Sequence, residues 1–295
     1  MAASSSADDS GCHLLALSHD ELGVIFDGLA GPLQPGIAVA LSSTCKGVRT
    51  PLRAALEVLQ QRHERAVALC GKIGRSCARL CREPLLNANS KRLTADDMSA
   101  LSMIMRTGQS LPRLRSLWLF SNGCGDAGVQ SLCDGLAATP SVHTLSLTDN
   151  KFGPAGAEAL AAAFRAGALP TLCFLALGNN ALGSQGAAAL ALPLRKLPAL
   201  QDLCVQNCAI GAEGLTSLIT GLTKDDFKEL MNLDLRSNQL TGASCAALSA
   251  ALDSGAFPKL VTLRLEPNSA SDAAMHTVRT ALRRAQERRE DDEDW

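Results

Sequence analysis

The chain has 295 residues, 46% of them apolar, with 19% charged side chains and a formal net charge of −1, which is ample apolar surface for a large core. That balance excludes a basic field for nucleic acid or for an anionic membrane surface, and leaves protein as the expected partner. Aromatic residues reach only 3%, with no Tyr, a composition that suits stacked short units better than one mixed core.

Residues 1–11 form a Ser-rich, acidic start, expected to be disordered and lacking the positive charge and apolar run of a secretory signal. No stretch approaches the roughly 18 apolar residues that a membrane-spanning helix needs, so no membrane partner is expected. Eleven cysteines, an odd number, and the absence of an Asn-x-Ser/Thr acceptor fit a reducing compartment, the cytosol or the nucleus.

Residues 12–82 do not repeat and read as helices over 20–29, 37–48 and 51–70, the last with Leu52, Leu56, Leu59, Ala66 and Val67 at apolar positions. One reading is an all-helical cap that seals the open end of the units that follow. The other starts from LSHDELGVIFDGL and ALSSTCKGVR, in which Leu17, Glu21, Leu22, Ile25, Phe26, Leu29, Leu41, Cys45, Lys46 and Arg49 take the usual places of an F-box. The segment resembles that family, and the resemblance implies docking to the adaptor of a cullin ubiquitin ligase through Leu17, Leu22, Ile25 and Phe26. Ser18 stands where the family has proline, and Val48 where it has tryptophan.

From 83 to 287 one pattern recurs, L-x-x-L-x-L-x-x-N, first as Leu114, Leu117, Leu119 and Asn122. Its later copies end at Asn150, Asn180, Cys208, Asn238 and Asn268, at intervals of 28, 30, 28, 30 and 30 residues. A small residue follows six places after each (Gly128, Gly156, Gly186, Gly214, Ser244, Ala274), and then an apolar stripe such as Leu160 and Phe164. This predicts a short strand with alternate leucines inward, an Asn turn, and a helix that the small residue lets lie close to the strand layer. Pro154 falls at a first helical position, Asp126 and Asp272 fall in first turns, and Pro112, Pro140, Pro170, Pro198 and Pro258 each precede the next strand by two residues. The Asn column reads as a structural device whose buried amides satisfy the backbone of adjacent coils.

The 28-to-30 period with its small residue resembles the ribonuclease-inhibitor type of leucine-rich repeat, found in Ran GTPase-activating proteins and in innate immune sensors. The resemblance implies an α/β fold, a right-handed solenoid with parallel concave strands and convex helices. Six strands are expected. A degenerate unit precedes them, with Leu86, Leu93, Leu101 and Met105 in repeat places and Lys91 in place of Asn, and it reads as a cap. Residues 288–295 read as a solvated acidic tail.

No phosphate loop, dinucleotide fingerprint, zinc-protease or serine-hydrolase motif occurs, and the five His are scattered. No enzyme activity, cofactor or catalytic residue is implied. Cys70, Cys77 and Cys81 share one helix face but form no paired C-x-x-C, so they read as core and not as metal ligands.

The period of two in a strand places a readable map on the concave face. Its middle column runs Trp118, Ser146, Ala176, Cys204, Asp234 and Arg264. Aromatics gather in the first repeats (Trp118, Phe120, Phe174) and polar or charged groups in the last (Asp202, Gln206, Asp234, Arg236, Arg264, Glu266). These nine are the expected partner-binding residues, with Asp234 facing Arg264 and Arg236 facing Glu266 as cross-strand pairs. The expected function is a protein-binding scaffold, serving as a ligase substrate receptor if the front segment is an F-box. The alternative is a GTPase-regulating or immune-sensor-type repeat protein.

Overall fold

The computed structural model describes residues 22, 25–26, 29–43, 52–107, 111–223 and 225–293. The expected disordered start, Leu17, and the motif positions at 21 and 45–49 lie outside the described residues.

Seven short strands stack in chain order into one parallel sheet: β1 (Leu85–Asn87), β2 (Ser116–Trp118), β3 (Thr144–Ser146), β4 (Phe174–Ala176), β5 (Asp202–Cys204), β6 (Asn232–Asp234) and β7 (Thr262–Arg264). A helix follows each: α4 (Ala95–Arg106), α5 (Gly125–Ala137), α6 (Pro154–Arg165), α7 (Gly183–Arg195), α8 (Gly211–Ile219), α9 (Gly242–Asp253) and α10 (Asp272–Glu293). The architecture is the α/β repeat solenoid, with one strand more than the six expected. The added strand is β1 of the degenerate unit, whose Leu86 pairs with Leu117 in the register that carries on through Leu145, Leu175, Leu203, Leu233 and Leu263.

The Asn column explains why Lys91 is tolerated there. Each Asn looks backward: Asn180 Nδ2 donates to Leu147 O of the preceding coil and to Leu177 O of its own, and its Oδ1 accepts from Asn150 N at 2.9 Å. Asn122 serves the first coil in the same way, accepting from Lys91 N and Leu93 N and donating to Ala88 O. The first coil has no earlier coil to serve, so it needs no amide of its own. Cys208 keeps part of the pattern, its thiol donating to Leu177 O at 3.3 Å.

The small-residue column marks where helices touch. A Cβ on Gly156 would lie 2.8 Å from Asp126 Oδ1 and 2.9 Å from the Phe152 ring. That same Asp126 oxygen accepts from Gly153 N and Gly156 N, both at 2.7 Å, so an acid in the first turn of α5 caps the next helix, α6. Between sheet and helices a continuous core of fully buried Leu, Ala and Met runs the length of the solenoid. At its far end α10 continues to Glu293, and Arg288 and Arg289 donate to the carbonyls of Leu252, Pro258 and Leu260.

The front segment contains α1 (Gly36–Ser43), α2 (Arg53–Ile73) and the single turn α3 (Cys77–Leu80). Helix α2 has two allegiances. Its C-terminal half puts Ala66, Leu69, Cys70 and Ile73 into the solenoid core, while Leu52, just before it, and Leu59 join Leu22, Phe26, Ala30 and Ala38 in a separate small core. Lys72 Nζ reaches Asp97 Oδ2 at 2.6 Å and so ties α2 to α4, where Asp97 also closes a capping box with Thr94.

Burial raises the Asp97 carboxyl, but the Lys72 ammonium and the Thr94 donors outweigh it and hold the group below the usual carboxylate range. A lowered folded pKa makes this stabilisation complete above the unfolded value of 3.8 and removes it as pH falls through the folded value. Protection of the α4 amides, referred to the intrinsic exchange rate at each pH, should therefore fall below about pH 4, and Asp97→Asn should flatten that dependence. The effect should stay under about 1 kcal/mol, because Lys72 is half exposed.

Candidate functional site: the concave strand face

The register aligns the concave columns as the period of two requires, Trp118 with Ser146, Ala176, Cys204, Asp234 and Arg264. The aromatic residues are arranged differently from their order in sequence. Trp118 and Phe174, two strands apart, lean together with ring centroids 5.8 Å apart at 31°, across the small, buried Ser146 of β3. Phe120 stands apart and exposed, its N–H donating to Asn89 Oδ1 at 2.8 Å.

The charged half also rearranges the expected ladder. Asp234 is buried, and Arg236, two residues on in the same chain segment, folds back over it, with Nη2 2.7 Å from Oδ2 and Nε 2.9 Å from Oδ1. Arg264 on β7 stands 3.9 Å away as a weaker second partner. The expected pair Arg236–Glu266 does not form, since Glu266 is taken by Arg279 of α10. Arg279 carried no signal in sequence because only the packing of α10 on β7 brings it there. The Asp234 hydrogen bonds hold the Arg236 guanidinium, raising it further above its ordinary value.

Asp202 is left with neutral company. Its Oδ1 accepts from Asn232 Nδ2 at 2.6 Å, and it has no ion pair among the described residues. Gln206 lies flat over Gly178, so close that a Cβ there would sit 2.3 Å from the Gln206 amide carbon. A cup of about 220 Å³ opens in this part of the face, walled by Phe174, Asp202, Asn232, Asp234 and Arg264 and floored by Cys204. Burial pushes the Cys204 thiol up to about 11, helped by the carboxylates of Asp234 and Asp202 against the opposing arginines.

The face thus gathers Phe174, Asp202, Asp234 and Arg264 into one depression, with Trp118 against Phe174, and leaves Phe120, Gln206, Arg236 and Glu266 on its margins. Of the front-segment residues, Leu22 and Phe26 are 2% and 1% exposed inside the small core, while Ile25 is partly open. They do not share one surface. Cys70 and Cys77 lie with their sulfurs 3.4 Å apart, and no group of three or more His, Cys, Asp or Glu among the described residues has the geometry to hold a metal ion.

Comparison with known proteins agrees with the repeat reading. The family described as Leucine Rich repeat matches residues 140–161. The Tonsoku-like protein of Bos taurus is 34% identical over 199 residues, which make up 63% of this chain and 14% of that protein. Among solved structures, an internalin (inlF) from Listeria monocytogenes is 17% identical with a TM-score of 0.28, over 61% of this chain and 67% of that one. No described helix is long and apolar enough to cross a membrane.

Proposed function

We propose that this leucine-rich-repeat solenoid is a scaffold that grips a protein partner on its concave face and has no reaction of its own. The observation that carries it is the Trp118–Phe174 pair, with Phe120 exposed farther along the same face. A chain with 3% aromatic residues places these on a face that the core does not need, and such rings dominate interface energies. The ribonuclease-inhibitor subtype is supported by the period of 28 to 30 residues and by a full α-helix after nearly every strand. A cytosolic or nuclear home is supported by the free thiols found at every described cysteine.

For the front segment we favour a cap. Leu22 and Phe26 spend their apolar surface on Leu52 and Leu59, and α2 carries that small core directly into the solenoid. The scaffold reading is tested by comparing wild type with Trp118→Ala/Phe120→Ala as baits in cell extract. Proteins retained by wild type should be lost by the variant, at a cost of 2 kcal/mol or more in affinity, as is common for aromatic anchors, on the order of 30-fold. The variant should keep its far-ultraviolet spectrum and melt close to wild type, and an unchanged set of retained proteins would refute the reading.

A further inference from the structure

The cup on the concave face has one carboxylate without an ion pair among the described residues. Of the two acids in its wall, Asp234 is held by Arg236 through both carboxylate oxygens, with Arg264, also in the wall, 3.9 Å from it. Among the described residues, Asp202 has the amide of Asn232 and no ion pair. Its neighbour across the β4–β5 ladder is Phe174, about 4.8 Å away along the sheet, so a ring face and a free carboxylate border the same space. The face of an aromatic ring is the negative end of its quadrupole and attracts a cation, as the carboxylate does. An anion would meet both as repulsion.

Two further observations agree in sign. Burial raises the Cys204 thiol most, and the carboxylates of Asp234 and Asp202 raise it further against the lowering by Arg264 and Arg236. Beyond the end of β5, Gln206 Oε1 is buried with no hydrogen-bond partner among the described residues, an acceptor without a donor on this face.

We propose that the cup seats an arginine side chain of the protein partner, with its guanidinium against the Phe174 ring and hydrogen-bonded to Asp202. This rests on the concave-face scaffold reading and names the partner chemistry at one point of it. Arginine fits better than lysine because its planar group stacks on a ring while its N–H fork meets a carboxylate, whereas an ammonium offers only a point charge. The Trp118–Phe174 pair beside the cup would take an apolar residue next to that arginine.

The probe is a set of immobilised short peptides with a central Arg, citrulline, Lys, Glu or Ala flanked by randomised apolar residues, read with the purified full chain. Arg peptides should be retained about tenfold better than citrulline peptides, the scale of a charge-assisted hydrogen bond, with Lys between them. Asp202→Asn, which keeps the Asn232 hydrogen bond, should erase that preference with an unchanged melt, and Asp202→Glu should retain part of it. Equal retention of Arg and citrulline, or a preference for Glu, in a wild type whose retention still falls in Trp118→Ala would overturn the arginine assignment and leave the scaffold standing. Retention of no peptide, or retention indifferent to Trp118→Ala, would overturn both.

Discussion

Asn180→Ala is expected to destabilise the solenoid by about 3 kcal/mol, with no change at its surface. Asn180 is 3% exposed, and its amide is used from both ends. Nδ2 donates to Leu147 O, Leu177 O and Gly178 O, and Oδ1 accepts from Asn150 N and, more weakly, Phe152 N. Alanine leaves Asn150 N and Phe152 N without their acceptor in a buried turn, while Leu147 O, Leu177 O and Gly178 O each lose one of their donors and keep Asn150 Nδ2, the Cys208 thiol and Asp149 N. Two or more orphaned groups at about 1–3 kcal/mol each set the scale, and partial relaxation of the turn reduces it. For a chain of this size the melting midpoint should fall by roughly 5 °C.

The neighbouring column member gives the control. Cys208 already does part of the work of an amide, so Cys208→Asn should be neutral or stabilising, whereas Lys91→Ala should be silent because no earlier coil depends on position 91. Urea unfolding of the three variants checks this, and an Asn180→Ala midpoint within error of wild type would refute the account of the column.

Much of this fold was legible before any coordinates because each coil answers to its own thirty residues. Inward leucines, the Asn turn, the small helix residue and the proline stops are local needs, and they recur in phase. Strand β1 escaped because its diagnostic Asn is the one amide the stack does not require. The concave face was legible as columns and illegible as contacts. Period two places Trp118 and Phe174 in different columns two strands apart, and the rings meet over β3, diagonally to the cross-strand pairs that the register gives. Charge pairing failed for a related reason. A residue two along the same strand competes with the cross-strand neighbour, and Arg236 found Asp234 while Glu266 was drawn to Arg279 from a helix of another layer. For the front segment, an apolar stripe looks the same whether it packs inward or waits for a partner, so sequence could not choose between cap and docking module.

Phe26→Ala is the substitution that separates those two readings, and its effect should be large and local. The ring is 1% exposed in a core that, among the described residues, it shares with Leu22, Ala30, Ala38, Leu52 and Leu59. Loss of a buried phenylalanine costs about 3–5 kcal/mol where the site cannot collapse, a large fraction of the stability of a domain. The front segment should therefore open as a unit, while the solenoid keeps the Ala66, Leu69 and Ile73 contacts of the second half of α2. Hydrogen exchange should show residues 53–60 losing protection, residues 66–73 retaining most of theirs and the strands from β2 onward unchanged. The concave face should then bind as in wild type, since its first aromatic, Trp118, lies on β2, a full coil beyond the cap. A docking module would behave otherwise: Phe26→Ala would release a cullin-ligase adaptor from the purified chain while exchange over 53–60 stayed as in wild type. That combination would require the Phe26 ring to face a partner and not Leu52 and Leu59, and would overturn the cap.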